Sequence, residues 1–130
     1  MARFSSNALT KRWAEEQGWL CSTVQQYYGR RRHDLFGIGD SLIIRSDAAA
    51  PILAQNCSYG SLKPHRDLID QSPLRERLVG HLTLCLVEWR RRKAKRGGKR
   101  MARGWWLRTQ TAQPGGQWGE LTDWIGPVLT

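Results

Sequence analysis

Between His33 and Ser58 the chain carries an acid and an amide that could share one ion. Asp40 heads the apolar run Leu42, Ile43, Ile44, and Gln55 closes the run Ile52, Leu53, Ala54. The intervening Ser46 to Pro51 is of hairpin length, so the two runs predict paired strands that bring Asp40 and Gln55 to one end of a sheet. Oxygen ligands gathered there suit a hard divalent cation: Mg²⁺ takes a few carboxylate or carbonyl oxygens and keeps several waters for a phosphate substrate. The competing role for Asp40 is that of a turn residue whose side chain bonds nearby backbone.

The elements that must position these groups follow from the flanking sequence. Ser5, Ser6 and Asn7 offer capping oxygens before an apolar repeat, which predicts a helix over Asn7–Gln17 stopped by Gly18. Glu16, three residues after Trp13 and four before Leu20, is expected on or beside the apolar face, where an acid pairs with a cation or serves a site; Glu15 points to the flank. A strand is expected over Trp19–Gln25. The basic run Arg30, Arg31, Arg32 precedes Asp34 as a loop whose guanidinium groups could hold phosphates near the ion. Gly37 and Gly39 then turn the chain.

Beyond the loop at Tyr59–Leu62, a basic helical region is expected over Lys63–Arg77, interrupted at Pro64 and Pro73, with Arg66 among its cations. A strand is expected over His81–Trp89. Residues 90–103 hold nine positive charges and no acid: Arg90, Arg91, Arg92, Lys93, Lys95, Arg96, Lys99, Arg100 and Arg103. Because Trp105, Trp106 and Leu107 resume an apolar strand, this run is expected to be a mobile hairpin tip projecting over a phosphate backbone. In the last segment, Pro114-Gly115-Gly116 forms a flexible joint, and Trp118, Leu121, Trp124 and Ile125 fall at helical spacing. They define an arm, residues 111–130, that packs on its own domain, residues 1–110, or on a neighbouring subunit.

A length of 130 residues suits one domain and one site. The net charge of +10, from 21 Lys plus Arg against 11 Asp plus Glu, favours a polyanionic partner through steering and counterion release. Nucleic acid leads, and an anionic membrane surface is the weaker candidate. The N-terminus lacks the apolar run of a signal peptide and no stretch approaches the roughly 20 apolar residues of a membrane span, so a soluble intracellular protein is expected. Cys21, Cys57 and Cys85 are isolated and odd in number, which supports neither a disulfide framework nor a zinc knuckle. His33, His65 and His81 are equally scattered.

The element order, helix with acid, strand, Asp-led strand, strand ending in a polar ligand, helix, strand, basic hairpin, strand, resembles the PD-(D/E)XK nuclease superfamily. In particular it resembles small phage and bacterial proteins related to archaeal-type Holliday junction resolvases. The most specific part is Asp34-Leu35-Phe36-Gly37-Ile38-Gly39-Asp40 followed by Ile52-Leu53-Ala54-Gln55. A looser echo runs through Ser58, Gly60, Arg66 and the hairpin from Glu88-Trp89-Arg90 to Trp106-Leu107-Arg108, so that residues 5 to 110 are covered. The resemblance implies an α/β (α+β) fold with a restriction-endonuclease-like mixed central β-sheet flanked by helices. By position Asp40 matches the family's metal-binding Asp, Gln55 the acid of the next strand, Asp34 a second metal ligand, and Glu16 or Glu15 the first-helix acid. Cys57 falls where the motif lysine would stand, and Lys63 is a candidate to supply that cation from the next element.

The implied activity is Mg²⁺-dependent (or Mn²⁺-dependent) hydrolysis of branched DNA, such as a four-way junction, by a homodimer in a bacterial or phage-infected cytoplasm, associated with the nucleoid. The alternative keeps the fold without the chemistry: a DNA-binding or structural protein of a phage or mobile element whose site has decayed at Gln55 and Cys57. A small RNA-binding protein is a third candidate on charge and aromatics alone, without a recognisable RNA-binding signature.

Overall fold

Ser5 opens the first helix as the sequence requires, its hydroxyl accepting from the Ala8 N–H at 3.1 Å, and α1 runs over Ser6–Glu16. The computed structural model describes residues 5–96 and 99–129; the side chains of residues 26–28, 32, 92–96 and 99–103 lie outside the description. After α1 come β1 (Leu20–Thr23), β2 (Gln26–Tyr28), β3 (Arg31–His33), β4 (Ser41–Ile44) and β5 (Ile52–Ser58). Two helices, α2 (Leu62–Asp70) and α3 (Arg75–Val79), lead to β6 (Thr83–Arg96), β7 (Lys99–Thr111) and β8 (Ile125–Leu129).

The fold is mixed α/β, a six-stranded sheet in the order β1-β4-β5-β6-β7-β8 flanked by helices, with β2 and β3 forming a separate hairpin. Only β5 and β6 pair in parallel within the large sheet; its other neighbours are antiparallel. The parallel pair needs a crossover, and α2 with α3 supplies it. Both faces are covered. On one, Leu9 and Ala14 of α1 pack with Ile43, Ala54, Val87, Trp89 and Leu107; on the other, Leu62 and Ile69 of α2 pack with Leu53, Cys57, Leu84 and Leu86. The strict alternation along β5, Leu53 and Cys57 to one side and Ala54 to the other, is the period-two signature of a strand buried on both faces.

Four sequence expectations change here. Residues 26–33, expected as the end of a strand and a basic loop, form the β2–β3 hairpin, with Gln26 opposite His33 and Gly29 at positive φ in its turn. Pro64 does not interrupt α2, because it sits in the first turn, where the missing N–H has no helical acceptor. The basic run is not a loop at its base. β6 and β7 stay paired from Cys85 opposite Thr111 to Arg96 opposite Lys99, with a register shift between Lys93 and Lys95, so the ladder satisfies the backbone while Arg91 lies over Trp105, 5.9 Å from the ring centroid.

The arm is not helical. Gly126 and Pro127 oppose a helix, and the free edge of β7 takes β8 as a sixth strand, with Trp105 opposite Leu129 and Leu107 opposite Ile125. Gly104 permits this, since a Cβ there would run into the Pro127 ring. Residues 111–129 therefore pack on the same sheet rather than standing away from it. Among the described residues no helix is long and apolar enough to cross a membrane.

Candidate functional site

β4 and β5 bring Asp40 and Gln55 together. The Asp40 N–H donates to the Ala54 carbonyl at 3.0 Å, and its carbonyl accepts from Val24 N–H at 3.0 Å, which fixes the residue at the mouth of three strands. The preceding turn makes this placement possible. Phe36 and Gly37 adopt positive φ (56° and 69°), and Gly39 lies so close to Leu53 that a Cβ would overlap its side chain. The Asp40 side chain is 3% exposed; Oδ1 accepts from Asn56 N–H at 3.0 Å, and Oδ2 faces the amide nitrogens of Gln25 and Gln55, each at 3.4 Å.

Gln55 has oxygens on both sides. With its NH₂ toward Asp40, its own oxygen is set against Asp34 Oδ2 and the Ile38 carbonyl; turned over, the NH₂ donates to Asp34 Oδ2 at 3.3 Å and to the Ile38 carbonyl. The second orientation satisfies the amide better. It directs Gln55 Oε1 to the place 3.4 Å from both Asp40 Oδ2 and the Asn56 carbonyl oxygen. Three oxygens, one carboxylate, one amide and one backbone carbonyl, then converge. Neighbouring oxygens around an octahedral Mg²⁺ stand about 3 Å apart, so a divalent ion at this place would require Gln55 Oε1 to close by a few tenths of an ångström on each neighbour. Among the described residues no three His, Cys, Asp or Glu side chains form a ligand cluster.

Polar side chains from α1 and the β1–β2 connection complete the wall. Asn7 Nδ2 donates to Gln25 Oε1 (3.1 Å), and Gln25 Nε2 donates to Asp34 Oδ1 (2.9 Å). Asn56 donates to Asn7 Oδ1 (3.0 Å) and Ser41 Oγ (2.8 Å) and accepts from Thr10 Oγ1 (2.7 Å), which itself accepts from the buried Trp89 indole N–H (2.8 Å). The result is a polar cleft of about 200 Å³ lined by Ser5, Ser6, Asn7, Asp40, Gln55, Asn56, Ser58 and His65. A smaller pocket of about 90 Å³ shares Gln55 and His65 and reaches Asp34, which also borders a broader cleft of about 550 Å³ with Gln25, His33 and Phe36.

Several sequence candidates are not brought to this cleft. Glu16 is exposed and paired with Arg12 at 3.4 Å. The buried stripe of α1 is Leu9, Thr10, Trp13 and Ala14, whose centre lies about 90° from Glu16 at 100° per residue. Leu20, which had suggested otherwise, is beyond the helix. Glu16 also sits about 13 Å along the helix axis from Asn7, which with Ser6 forms the end of α1 that does reach the cleft. Lys63 is exposed and bonded to Asp67 at 2.9 Å. Cys57 points into the α2-side core at 0% exposure, and burial pushes its thiol strongly up, so it is neutral and supplies no charge.

Of the basic candidates, Arg30 and Arg31 are exposed on the β2–β3 hairpin, and Arg66 is half-buried with Gln110 at 3.1 Å. Arg90 is half-buried over Tyr59, and Arg91 is exposed. The side chains of Arg32, Arg92, Lys93, Lys95, Arg96, Lys99 and Arg100 lie outside the described residues. His65, Asn7, Asn56 and Gln25 also line or brace the cleft and are not among the sequence candidates. His65 was accessible in principle: Leu62, His65 and Ile69 follow one face of α2, and its neighbours on that face are buried. The amides carried no such signal, because their grouping depends on strand pairing.

Comparison of the chain with protein-family models, with curated proteins and with solved structures returns no match.

Proposed function

We propose that this chain is a divalent-metal-dependent DNA endonuclease of restriction-endonuclease-like fold, related to the small Holliday junction resolvases and acting on branched DNA as a homodimer with Mg²⁺ or Mn²⁺. The observation that carries the proposal is the meeting of Asp40 Oδ2, Gln55 Oε1 and the Asn56 carbonyl at one end of paired strands. A flanked mixed sheet whose Asp-led strand adjoins the Gln-bearing strand supports the fold assignment. The charge of +10 supports a polyanionic substrate.

A divalent cation at these oxygens would polarise a phosphodiester and lower the pKa of a water beside it. The residues of the chain hold and orient. Asn56 N–H fixes one Asp40 oxygen and leaves the other turned toward Gln55, while Gln25 and Asn7 hold Asp34 beside them. His65, on the cleft wall between α2 and Gln55, takes the role expected of a motif lysine: it moves a proton or steadies charge on the phosphate. Two strands of a junction need two such sites, hence the second copy.

One observation favours a binding protein without turnover. Cys57 is neutral and Lys63 is paired with Asp67, so among the described residues no ammonium is held where the resemblance expects one. Incubation of a labelled four-way junction with the protein in Mg²⁺, Mn²⁺ or EDTA separates the two. Cleavage that requires metal and disappears in Asp40→Asn supports the nuclease. Tight binding with no cleavage in either metal removes catalysis and leaves the DNA-binding alternative.

A further inference from the structure

Glu88 is wholly buried on β6, and the proposed chemistry makes no use of it. Its carboxylate is divided between two jobs. Oε1 accepts from Arg108 Nε at 2.5 Å, and Oε2 accepts from the Gly60 N–H at 3.0 Å. A buried carboxylate is a costly device unless fully hydrogen-bonded, and here it fixes two surface features in place. One is the turn Ser58–Ser61, held also by Ser61 N–H (3.0 Å) and Ser61 Oγ–H (2.7 Å) donating to the Ser58 carbonyl, with Gly60 at φ 85°. The other is the Arg108 guanidinium, which stacks over Trp124 with Cζ 4.5 Å from the ring centroid.

The turn presents Tyr59, which is 58% exposed although it is aromatic and its backbone is pinned. Arg90 Cζ lies 4.3 Å from the Tyr59 centroid and 5.9 Å from that of Trp124, and the two rings are 6.1 Å apart. Aromatic faces interleaved with guanidinium groups are the recurring platform on which unpaired bases stack while phosphates are neutralised. Ser58 lines the polar cleft, and Tyr59 follows it. Tyr59 is four residue steps beyond Gln55, about 13 Å at the usual rise, a reach of a few nucleotides.

We propose that Tyr59, Arg90, Trp124 and Arg108 form a stacking site for an unpaired nucleobase of a DNA strand, positioned by Glu88 next to the oxygen cluster. The inference deepens the nuclease proposal by naming the substrate feature selected, an unpaired or splayed strand, but its test needs no cleavage.

Binding is measured in EDTA by fluorescence anisotropy, with a mixed-sequence 15-nucleotide single strand and the blunt duplex of the same sequence. Tyr59→Ala is expected to weaken single-strand binding about tenfold and duplex binding less than about twofold, with Tyr59→Phe close to wild type. A 2-aminopurine in the single strand is expected to be quenched on binding to wild type and not to Tyr59→Ala. Equal weakening for both DNAs, or undiminished single-strand affinity and quenching in Tyr59→Ala, overturns the platform. Tyr59 is exposed, so the variant keeps its core. If the junction is cut in Mg²⁺ while Tyr59→Ala shows no discrimination, the platform falls and the nuclease stands. Discrimination without cleavage has the opposite meaning.

Discussion

Asp40 is ordinary in sequence and unusual in place. A carboxylate 3% exposed, bonded to a backbone N–H and facing two amides, is held in a way that an isosteric amide can imitate but not match in charge. Gln55→Glu is the informative change. It would set a third carboxylate beside Asp34 and Asp40, so in EDTA like-charge repulsion is expected to lower the melting temperature. Mg²⁺ binding to the folded state should reverse this, by about 2.7 kcal/mol at 100 times its Kd, and more than in wild type. Thermal melts with and without Mg²⁺ check it; a variant indifferent to Mg²⁺ would contradict the oxygen set. At the same scale, His65→Ala is expected to slow junction cleavage at least about tenfold, as loss of a proton-handling group does, whereas Lys63→Ala leaves it within about twofold. Single-turnover rates on the junction decide between the two.

Cys57 and Cys85 are buried, and burial pushes both thiols up, that of Cys85 to about 12. Neither is expected to react with a thiol-directed disulfide reagent at pH 8 in the folded protein, while half-buried Cys21 reacts slowly; complete release on denaturation is the control.

Among the elements, Arg75 ties α3 to the segment after β7. Arg75 is 3% exposed and donates from Nε to Asp70 (3.1 Å), from one terminal nitrogen to Glu76 (2.6 Å) and the Gln113 carbonyl (3.0 Å), and from the other to the Gln117 carbonyl (2.5 Å). Its guanidinium also lies over Trp118 at 5.1 Å. Arg75→Met is expected to destabilise the fold by about 3 kcal/mol, since the four hydrogen bonds donated by a buried guanidinium are lost. Urea denaturation measures it.

Glu76 gives the same junction a pH dependence. The backbone N–H groups of Gly115 and Gly116 stabilise its carboxylate and lower its pKa below the usual 4.5. The unfolded chain then takes up this proton at higher pH than the folded one, so the contribution is complete above about 4.5 and is lost as pH falls through the lowered folded value. Stability of the wild type is expected to fall more steeply than that of Glu76→Gln as pH is lowered from 5 toward about 3. Parallel slopes would show that Glu76 carries no linkage.

The elements also show what could be read in advance. β4, β5 and α1 were legible because apolar periodicity and the Ser5 cap are local signals. The β2–β3 hairpin and the strand character of residues 90–96 were not, since charged residues conceal a ladder that depends on its partner strand. The helical spacing of Trp118, Leu121, Trp124 and Ile125 misled for a related reason: β7's open edge determines the conformation of Ile125–Leu129. In the site, Asp40 and Gln55 were legible from turn length and strand ends. Glu16 was misplaced because the apolar repeat was carried across Gly18 into β1.

At the scale of the whole molecule, the charge of +10 is carried on a frame whose longest feature is the β6–β7 ribbon. Phosphate contacts release counterions, and affinity falls linearly in log–log form with salt, with a slope of about −0.9 per contact for duplex DNA. Replacing Arg90, Arg91, Arg92 and Lys93 together by Ala is expected to weaken duplex binding and flatten the salt slope by about 2 to 3 units. Anisotropy titrations over a range of NaCl concentrations measure this, and an unaltered slope would remove the ribbon from the phosphate contact.

The ion itself is the most direct test. Diffraction from crystals of the protein grown with Mn²⁺, read at the manganese absorption edge, is expected to give an anomalous peak about 2.2 Å from Asp40 Oδ2, Gln55 Oε1 and the Asn56 carbonyl oxygen, and none in Asp40→Asn. A peak only elsewhere, or the same peak in Asp40→Asn, would contradict the site on which the proposed activity rests.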